Sequence, residues 1–244
     1  MTRSPGFYRA GLPRARWSAD RDGLLLTLVH GQRVLHVGCA DAPLTEEKLA
    51  AGTLLHQRLL AASDDAVGVD IDAPALAVLR ARLGGRYVRA DVTDATDAAE
   101  LMAAAASLAP TVILAADVLE HVGDPSRFLT ALAAVAGQLD PAPRLVLSTP
   151  NALSLRGPVL AAAGYELAHP DHRAIYTPAT LARALACAGF RPGGWHTYSV
   201  SLGRSLPRRV FDGIARTASR VRPVLADGLV VVASPVSPVR SPVT

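Results

Sequence analysis

From about residue 33 to residue 234, short apolar runs alternate with stretches of helical period, a pattern that predicts a parallel sheet with crossover helices. The strand candidates are RVLHVG (33–38), AVGVDI (66–71), RYVRA (86–90), TVILAA (111–116), RLVLST (144–149), HTYSV (196–200) and GLVVVAS (228–234). Several are apolar almost throughout, as strands covered on both faces should be. Between them, Asp124 and Pro125 supply an N-cap and first turn ahead of Phe128, Leu132, Val135 and Leu139, which recur at helical spacing. Asp72 and Pro74 open a second helix through Leu76, Leu79 and Leu83. Thr177 and Pro178 open a third through Leu181 and Leu185 that stops at Gly189.

With 244 residues, half of them hydrophobic, the chain can bury a large core without disulfides or a structural metal. Two cysteines, Cys39 and Cys187, make no disulfide framework, and the first residues hold no apolar stretch like a signal peptide, so the expectation is a cytoplasmic protein. A mean hydropathy of +0.25 owes much to alanine. The most apolar run, 101–116, is interrupted by Ser107 and Pro110. It falls short of the roughly 20 residues a bilayer core requires, and no membrane span is expected. The net charge is +4, and all the cationic residues but Lys48 are arginines. They are densest from Arg204 to Arg222, where Arg208, Arg209, Arg216 and Arg220 face the single acid Asp212. Such a stripe could touch phosphates, but with only Phe211 available to stack, a solvated helix face is the expected reading and nucleic acid is not the expected partner.

Three stretches fall outside the alternation: residues 1 to about 24, the loop-rich insert from Ala152 to Ile175, and the segment Leu206 to Val221. They are candidates for a substrate lid. The expected organisation is a cap over 1–30, one domain over 31–234 with inserts at about 152–175 and 204–222, and a tail over 235–244. Ser-Pro-Val recurs three times from Ser234, and proline at that density predicts disorder.

In an open parallel sheet, ligands bind beyond the carboxyl ends of the strands. Four such ends carry chemistry here. In VLHVGCADAP (34–43) the backbone must turn sharply, and Gly38 with small Cys39, Ala40 and Ala42 lets a ligand approach the main chain. Asp70 ends the next strand, placed to accept hydrogen bonds from both hydroxyls of a ribose. Asp91 ends a third, and VILAADVLEHVGDPSRFL (112–129) contains the fourth.

These residues resemble the class I S-adenosylmethionine-dependent methyltransferases from about Val34 to Phe190, with GLVVVAS matching that family's last strand. LEHVGDPSRFL, VLSTPN (146–151) and HPDHRAIYTPATLARALACAGF (169–190) together resemble the ubiquinone-biosynthesis-like subgroup, which acts largely on small molecules. The resemblance implies an α/β fold: a Rossmann-like doubly wound sheet of strand order 3-2-1-4-5-7-6, parallel except for the last strand. It implies S-adenosylmethionine as cofactor. His36, Gly38, Cys39, Ala40 and Asp41 would adjoin the methionine portion. Asp70 would hold the ribose, Ile71 would pack on adenine, Asp91 would accept the adenine amino group beside Val92, and Ala115, Ala116 and Asp117 would border the sulfonium.

The first motif departs from the family pattern, with His36 for its usual acid and Ala40 and Ala42 for glycines; Asp41 could replace the acid. From Gly38 to Asp70 is 32 positions, against roughly 20 in a dinucleotide fingerprint, which implies a longer or broken first crossover helix with Gly52 as the break. The missing G-x-G-x-x-G argues against a nicotinamide enzyme.

A sulfonium methyl is already activated, so holding the acceptor in line is the main requirement. A hydroxyl or amine must still lose a proton, and His121 is the first candidate base, with orientation of the following turn as its other reading. Glu120 carries the same alternatives. His169, Asp171, His172, Arg173 and Tyr176 form a polar cluster that would close over the acceptor or serve as a structural network. His172 is taken as the second catalytic candidate, and His169, Tyr176 and Asn151 as acceptor contacts. Some quinone-pathway relatives hold a divalent metal near the equivalents of Glu120 and His121, but no metal ligands are assigned here. Cys39 reads as packing, and His56 and Cys187 as helix positions. Tyr8 and Trp17 either line the acceptor pocket or pack the N-terminal segment. The expected activity is methyl transfer to a small-molecule hydroxyl by a monomer or homodimer. A cofactor-binding homologue without catalysis and an RNA-modifying enzyme are the rivals.

Overall fold

The computed structural model describes residues 11–166, 169–201 and 206–236. Tyr8, Arg204 and the tail beyond Val236 lie outside the described residues. In chain order the elements are β1 (Ala15–Ser18), α1 (Arg21–Val29), β2 (Arg33–Val37), α2 (Thr45–Ala50), α3 (Leu55–Ala62), β3 (Asp65–Asp70), α4 (Ala73–Leu83), β4 (Arg86–Arg89), α5 (Ala98–Leu108), β5 (Val112–Ala116), α6 (Pro125–Gly137), β6 (Arg144–Pro150), α7 (Arg156–Ala162), α8 (Pro178–Cys187), β7 (Phe190–Tyr198), α9 (Leu206–Val221) and β8 (Gly228–Pro235).

The strands form one eight-stranded sheet in the order β1-β7-β8-β6-β5-β2-β3-β4. Counted from β2, this is the expected 3-2-1-4-5-7-6, with β8 antiparallel to both its neighbours. Period-two alternation sorts each central strand between two cores. Leu35, Ile113, Leu145 and Val231 pack with Leu101 of α5, Phe128 of α6 and Leu181 of α8 on one face. Val34, Leu114, Val146 and Val230 pack with Leu25 of α1 and Leu59 of α3 on the other. A sheet covered on both sides needs strands that are apolar throughout, which is why these runs stood out in the sequence.

The helix starts follow their capping chemistry. Asp72 accepts from Ala75 N and Asp124 from Arg127 N, while Thr177 and Thr180 form a reciprocal capping box. The first crossover is broken as expected: α2 and α3 are separate helices, with Gly52 at φ +67° in the turn between them.

Two strands differ from the sequence reading. β1 pairs in parallel with β7 and gives the sheet an eighth strand from a stretch placed outside the alternation. β7 starts at Phe190 and not at 196, because Pro192 and Gly193 are absorbed by a register shift against β8 and do not end the strand. Ser234, the end of the expected last strand, pairs with Arg191, and Pro235, assigned to the tail, extends the strand by pairing with Phe190.

The insert after β6 is fixed by a buried charge network. Arg156, only 4% exposed, forms ion pairs with Asp212 of α9 at 3.1 Å and Asp227 at 2.9 Å. Removing the cation leaves two acids facing each other out of water. Arg156→Ala should therefore cost about 3–5 kcal/mol in denaturant-induced unfolding. A loss below about 1 kcal/mol would show that the network is not holding α7 and α9 to the domain.

Candidate active site

The carboxyl ends of β2 and β5 open into a cleft of about 260 Å³, and Asp70, Ile71 and Asp91 lie outside its lining. It is lined by Arg21, His36, Gly38, Cys39, Asp41, Lys48, Ala116, Asp117, His121, His169 and His172, together with Leu54 and Leu55.

At its base, Gly38 has φ +75°, and a Cβ there would run into the Val118 side chain. The turn that follows is held by one carboxylate: Asp70 Oδ2 accepts from Ala40 N at 2.9 Å and Oδ1 from Asp72 N at 3.1 Å. A carboxylate offers about four acceptor sites, so two remain for a ligand. Ile71 beside it is 63% exposed. Asp91 accepts from Thr93 N and Thr93 Oγ1 through Oδ1, leaving Oδ2 to other donors.

His36 faces the cleft from the position of the family's acid. Its Nδ1 is 3.0 Å from Nδ1 of His56, so one ring donates and the other accepts, and both Nε2 atoms lack a hydrogen-bond partner among the described residues. Burial, with His56 and Arg21 nearby, keeps His36 uncharged well below the ordinary histidine range; burial lowers His56 to about 4. Cys39 is buried and its thiol stays protonated, first through burial and then through Asp70, in keeping with a packing residue.

Asp117 stands in the left-handed region at φ 53°. Three groups hold it there: Ser148 Oγ donates to Oδ1 at 2.5 Å, Tyr198 Oη donates to the same oxygen at 3.1 Å, and Arg21 pairs with Oδ2 at 2.9 Å. Non-glycine residues kept in this conformation concentrate at functional sites. Burial opposes the charge of Arg21, but Asp117, Tyr198 and Asp22 outweigh it. Arg21 has no sequence signal of its own; it reaches the cleft because β1 joins the sheet beside β7 and α1 packs on the sheet's face.

On the far wall, His121, His169 and His172 converge. Their ring centroids lie 4.8–5.8 Å apart, and one nitrogen from each falls within 4.8 Å of the others. Three imidazoles with a shared focus suit zinc or another first-row metal. No metal ligands were assigned from sequence, where spacings of 48 and 51 residues from His121 carried no pattern. His172 is held below the ordinary range by burial and by the other two histidines.

Not every expected residue reaches the cleft. The side chains of Ala40, Val92 and Ala115 lie in the cores, leaving only their main chain near a ligand. Asn151 is buried and committed: its amide donates to Val224 O and Ala226 O at 2.7 Å, and Oδ1 accepts from Leu153 N. It ties β6 to the loop before β8 and is not available to an acceptor. Tyr176 is packed against the larger core near Glu120, whose charge raises its phenol further after burial has done so.

Residues 8–192 match the family described as methyltransferase domain. The chain belongs to that family. No curated protein matches. Solved structures share the fold of this methyltransferase at low identity. A SAM-dependent methyltransferase from Archaeoglobus fulgidus is 18% identical, with a TM-score of 0.50 over 87% of this chain and 94% of that one. Magnesium protoporphyrin IX methyltransferase from Synechocystis, solved with bound SAH, is 16% identical, with a TM-score of 0.53 over 88% and 81%. The [4+2]-cyclase SpnF is 17% identical, with a TM-score of 0.50 over 92% and 85%.

Glu120 has no exposure; burial and then Asp117 raise its carboxyl to about 8, against smaller opposing effects of its own backbone N–H, Thr149 and Arg21. The unfolded chain releases this proton near the ordinary value of 4.5. Between about 4.5 and 8 the folded state therefore binds the extra proton, and stability falls as pH rises through that window. Glu120→Gln, which stays neutral, should flatten that dependence and melt several degrees above wild type at pH 8 in differential scanning calorimetry. Parallel melting curves for the two proteins across the window would contradict a buried protonated acid.

Proposed function

We propose that this chain methylates a hydroxyl oxygen of a small molecule. The observation that carries the reading is the single cleft in which the Asp70-braced turn and the three histidines face each other across Asp117 and Ala116. S-adenosylmethionine supplies a methyl group already activated by its sulfonium.

The chain's own residues would divide the work as follows. Asp70 accepts from the ribose hydroxyls through its unused lone pairs, exposed Ile71 covers one adenine face, and Asp91 accepts from the adenine amine beside the Val92 main chain. Gly38, Cys39 and Ala40 pass under the methionine portion. His36, uncharged and with Nε2 unpaired, accepts from the ammonium in place of the family's acid, and Asp41 adds negative charge. Arg21, kept charged by Asp117, meets the carboxylate. Asp117 and Ala116 border the transferred group. The acceptor enters from the histidine side, where His121 or His172 takes its proton and His169 orients it; the insert that follows β6 closes over it.

The direct test is a radiolabelled methyl-transfer screen over phenols, sugar hydroxyls and amines. On the acceptor it identifies, His121→Ala or His172→Ala should lower kcat by about 10²–10⁴ while cofactor affinity holds within a few-fold. Turnover unchanged in both variants would remove the base from this wall. Cofactor affinity without transfer to any acceptor class would favour the catalytically silent homologue.

A second reading rests on the convergence of the three imidazoles. In it His121, His169 and His172 hold a divalent first-row metal, a Lewis acid that would keep an acceptor oxygen ionised at neutral pH. Calorimetric titration of the chelator-treated protein with zinc should then show one saturable site, lost in His169→Ala. No saturable binding would leave proton transfer to the histidines themselves.

A further inference from the structure

Helix α9 is docked by its polar side. Asp212, Ala215 and Ser219 recur at helical spacing and are buried. Asp212 pairs with Arg156 and accepts from Ser201 Oγ at 3.0 Å, while Ser219 Oγ donates to the Ala215 carbonyl at 2.7 Å. The opposite side carries Val210, Ile214 and Val221, which are 55%, 58% and 76% exposed. With Ala218 and Leu225 they border an open apolar groove of about 720 Å³. An amphipathic helix ordinarily buries its apolar stripe; here the buried ion pair turns that stripe outward.

The charges around the stripe are all of one sign. Asp212 is the only acid between positions 206 and 225, and it is engaged with Arg156. Arg209, Arg220 and Arg222 are exposed and Arg216 is half-buried, with the Arg220 guanidinium 5.1 Å from the Trp17 ring centroid. Aliphatic side chains on one side of a helix, with arginines along the flank and no free acid, match the physical requirements of a helix lying in the interface of an anionic bilayer.

We propose that α9 seats the protein on an anionic lipid surface. Val210, Ile214 and Val221 enter the boundary between headgroups and acyl chains, and Arg209, Arg220 and Arg222 engage lipid phosphates. The absence of a helix long and apolar enough to span a bilayer among the described residues accords with binding from one side only. Two other occupants fit less well. A symmetric second copy would bring the same arginines against one another. RNA would gain nothing from exposed valine and isoleucine, and Phe211, the aromatic residue of the helix, is half-buried beside Arg156.

The test is sedimentation of the full chain with vesicles of phosphatidylcholine alone and of phosphatidylcholine mixed with phosphatidylglycerol. The expected result is partition into the mixed vesicles only, weakening as salt rises. The triple variant Val210→Gln, Ile214→Gln, Val221→Gln alters exposed positions only, so it should keep the wild-type melting temperature while losing at least about tenfold in partition. As a second measurement that removes no contact, Ile214→Trp should show a blue-shifted emission when mixed vesicles are added. No partition, equal partition into both vesicles, or an unaffected triple variant would overturn the proposal. So would a wild-type dimer that dissociates on Ile214→Gln, or RNA binding that is lost on Arg209→Gln and Arg220→Gln. None of these readouts involves methyl transfer, so the proposal can fail while the enzymatic reading stands.

Discussion

The cleft depends on a single carboxylate. Asp70 closes the end of β3, and by accepting from Ala40 N on one side and Asp72 N on the other it fixes both the turn after β2 and the entry to α4. A glycine-rich loop would normally reach such a shape through its own freedom. Here alanines occupy two of those positions, and a charged acceptor within the fold imposes the path instead. The group that shapes the turn is thus also the group proposed to recognise the ribose.

Around that centre the protein holds polar groups in states they would not keep in water. Asp117 stays in a left-handed conformation because Ser148, Tyr198 and Arg21 converge on it. Glu120, three residues on, stays protonated at neutral pH since it is buried and Asp117 already carries the negative charge. His36 and His56 remain neutral in their buried pair. The charge of Asp117 is in turn matched by the Arg21 guanidinium at 2.9 Å.

Much of the fold could be read from the sequence because burial on both faces of a parallel sheet writes itself as uninterrupted apolar runs. The helix caps at Asp72, Asp124 and Thr177 and the break at Gly52 were legible for equally local reasons. What escaped was non-local. β1 holds only four residues and earns its place by pairing with β7, so no periodicity marks it. β7 runs through a Pro-Gly-Gly sequence that reads as a loop until a partner strand absorbs the irregularity. Arg21 and the convergence of His169 and His172 on His121 appear only once distant segments meet. Asn151 ties down a turn where the sequence suggests an acceptor contact, because a strand-end asparagine looks the same in sequence in either role. The apolar residues of α9 could not reveal that they point outward, because the ion pair that turns the helix joins Asp212 to an arginine 56 positions away.

The central claim is that the Asp70 cleft binds S-adenosylmethionine despite the altered first motif. Isothermal titration with S-adenosylhomocysteine, comparing wild type with Asp70→Ala and checking that both melt as folded proteins, tests it most directly. The account predicts a single site in the wild type, with affinity lost by at least about tenfold in the variant, or about 1.4 kcal/mol. Equal affinity in the two proteins, or no binding by a folded wild type, would contradict it.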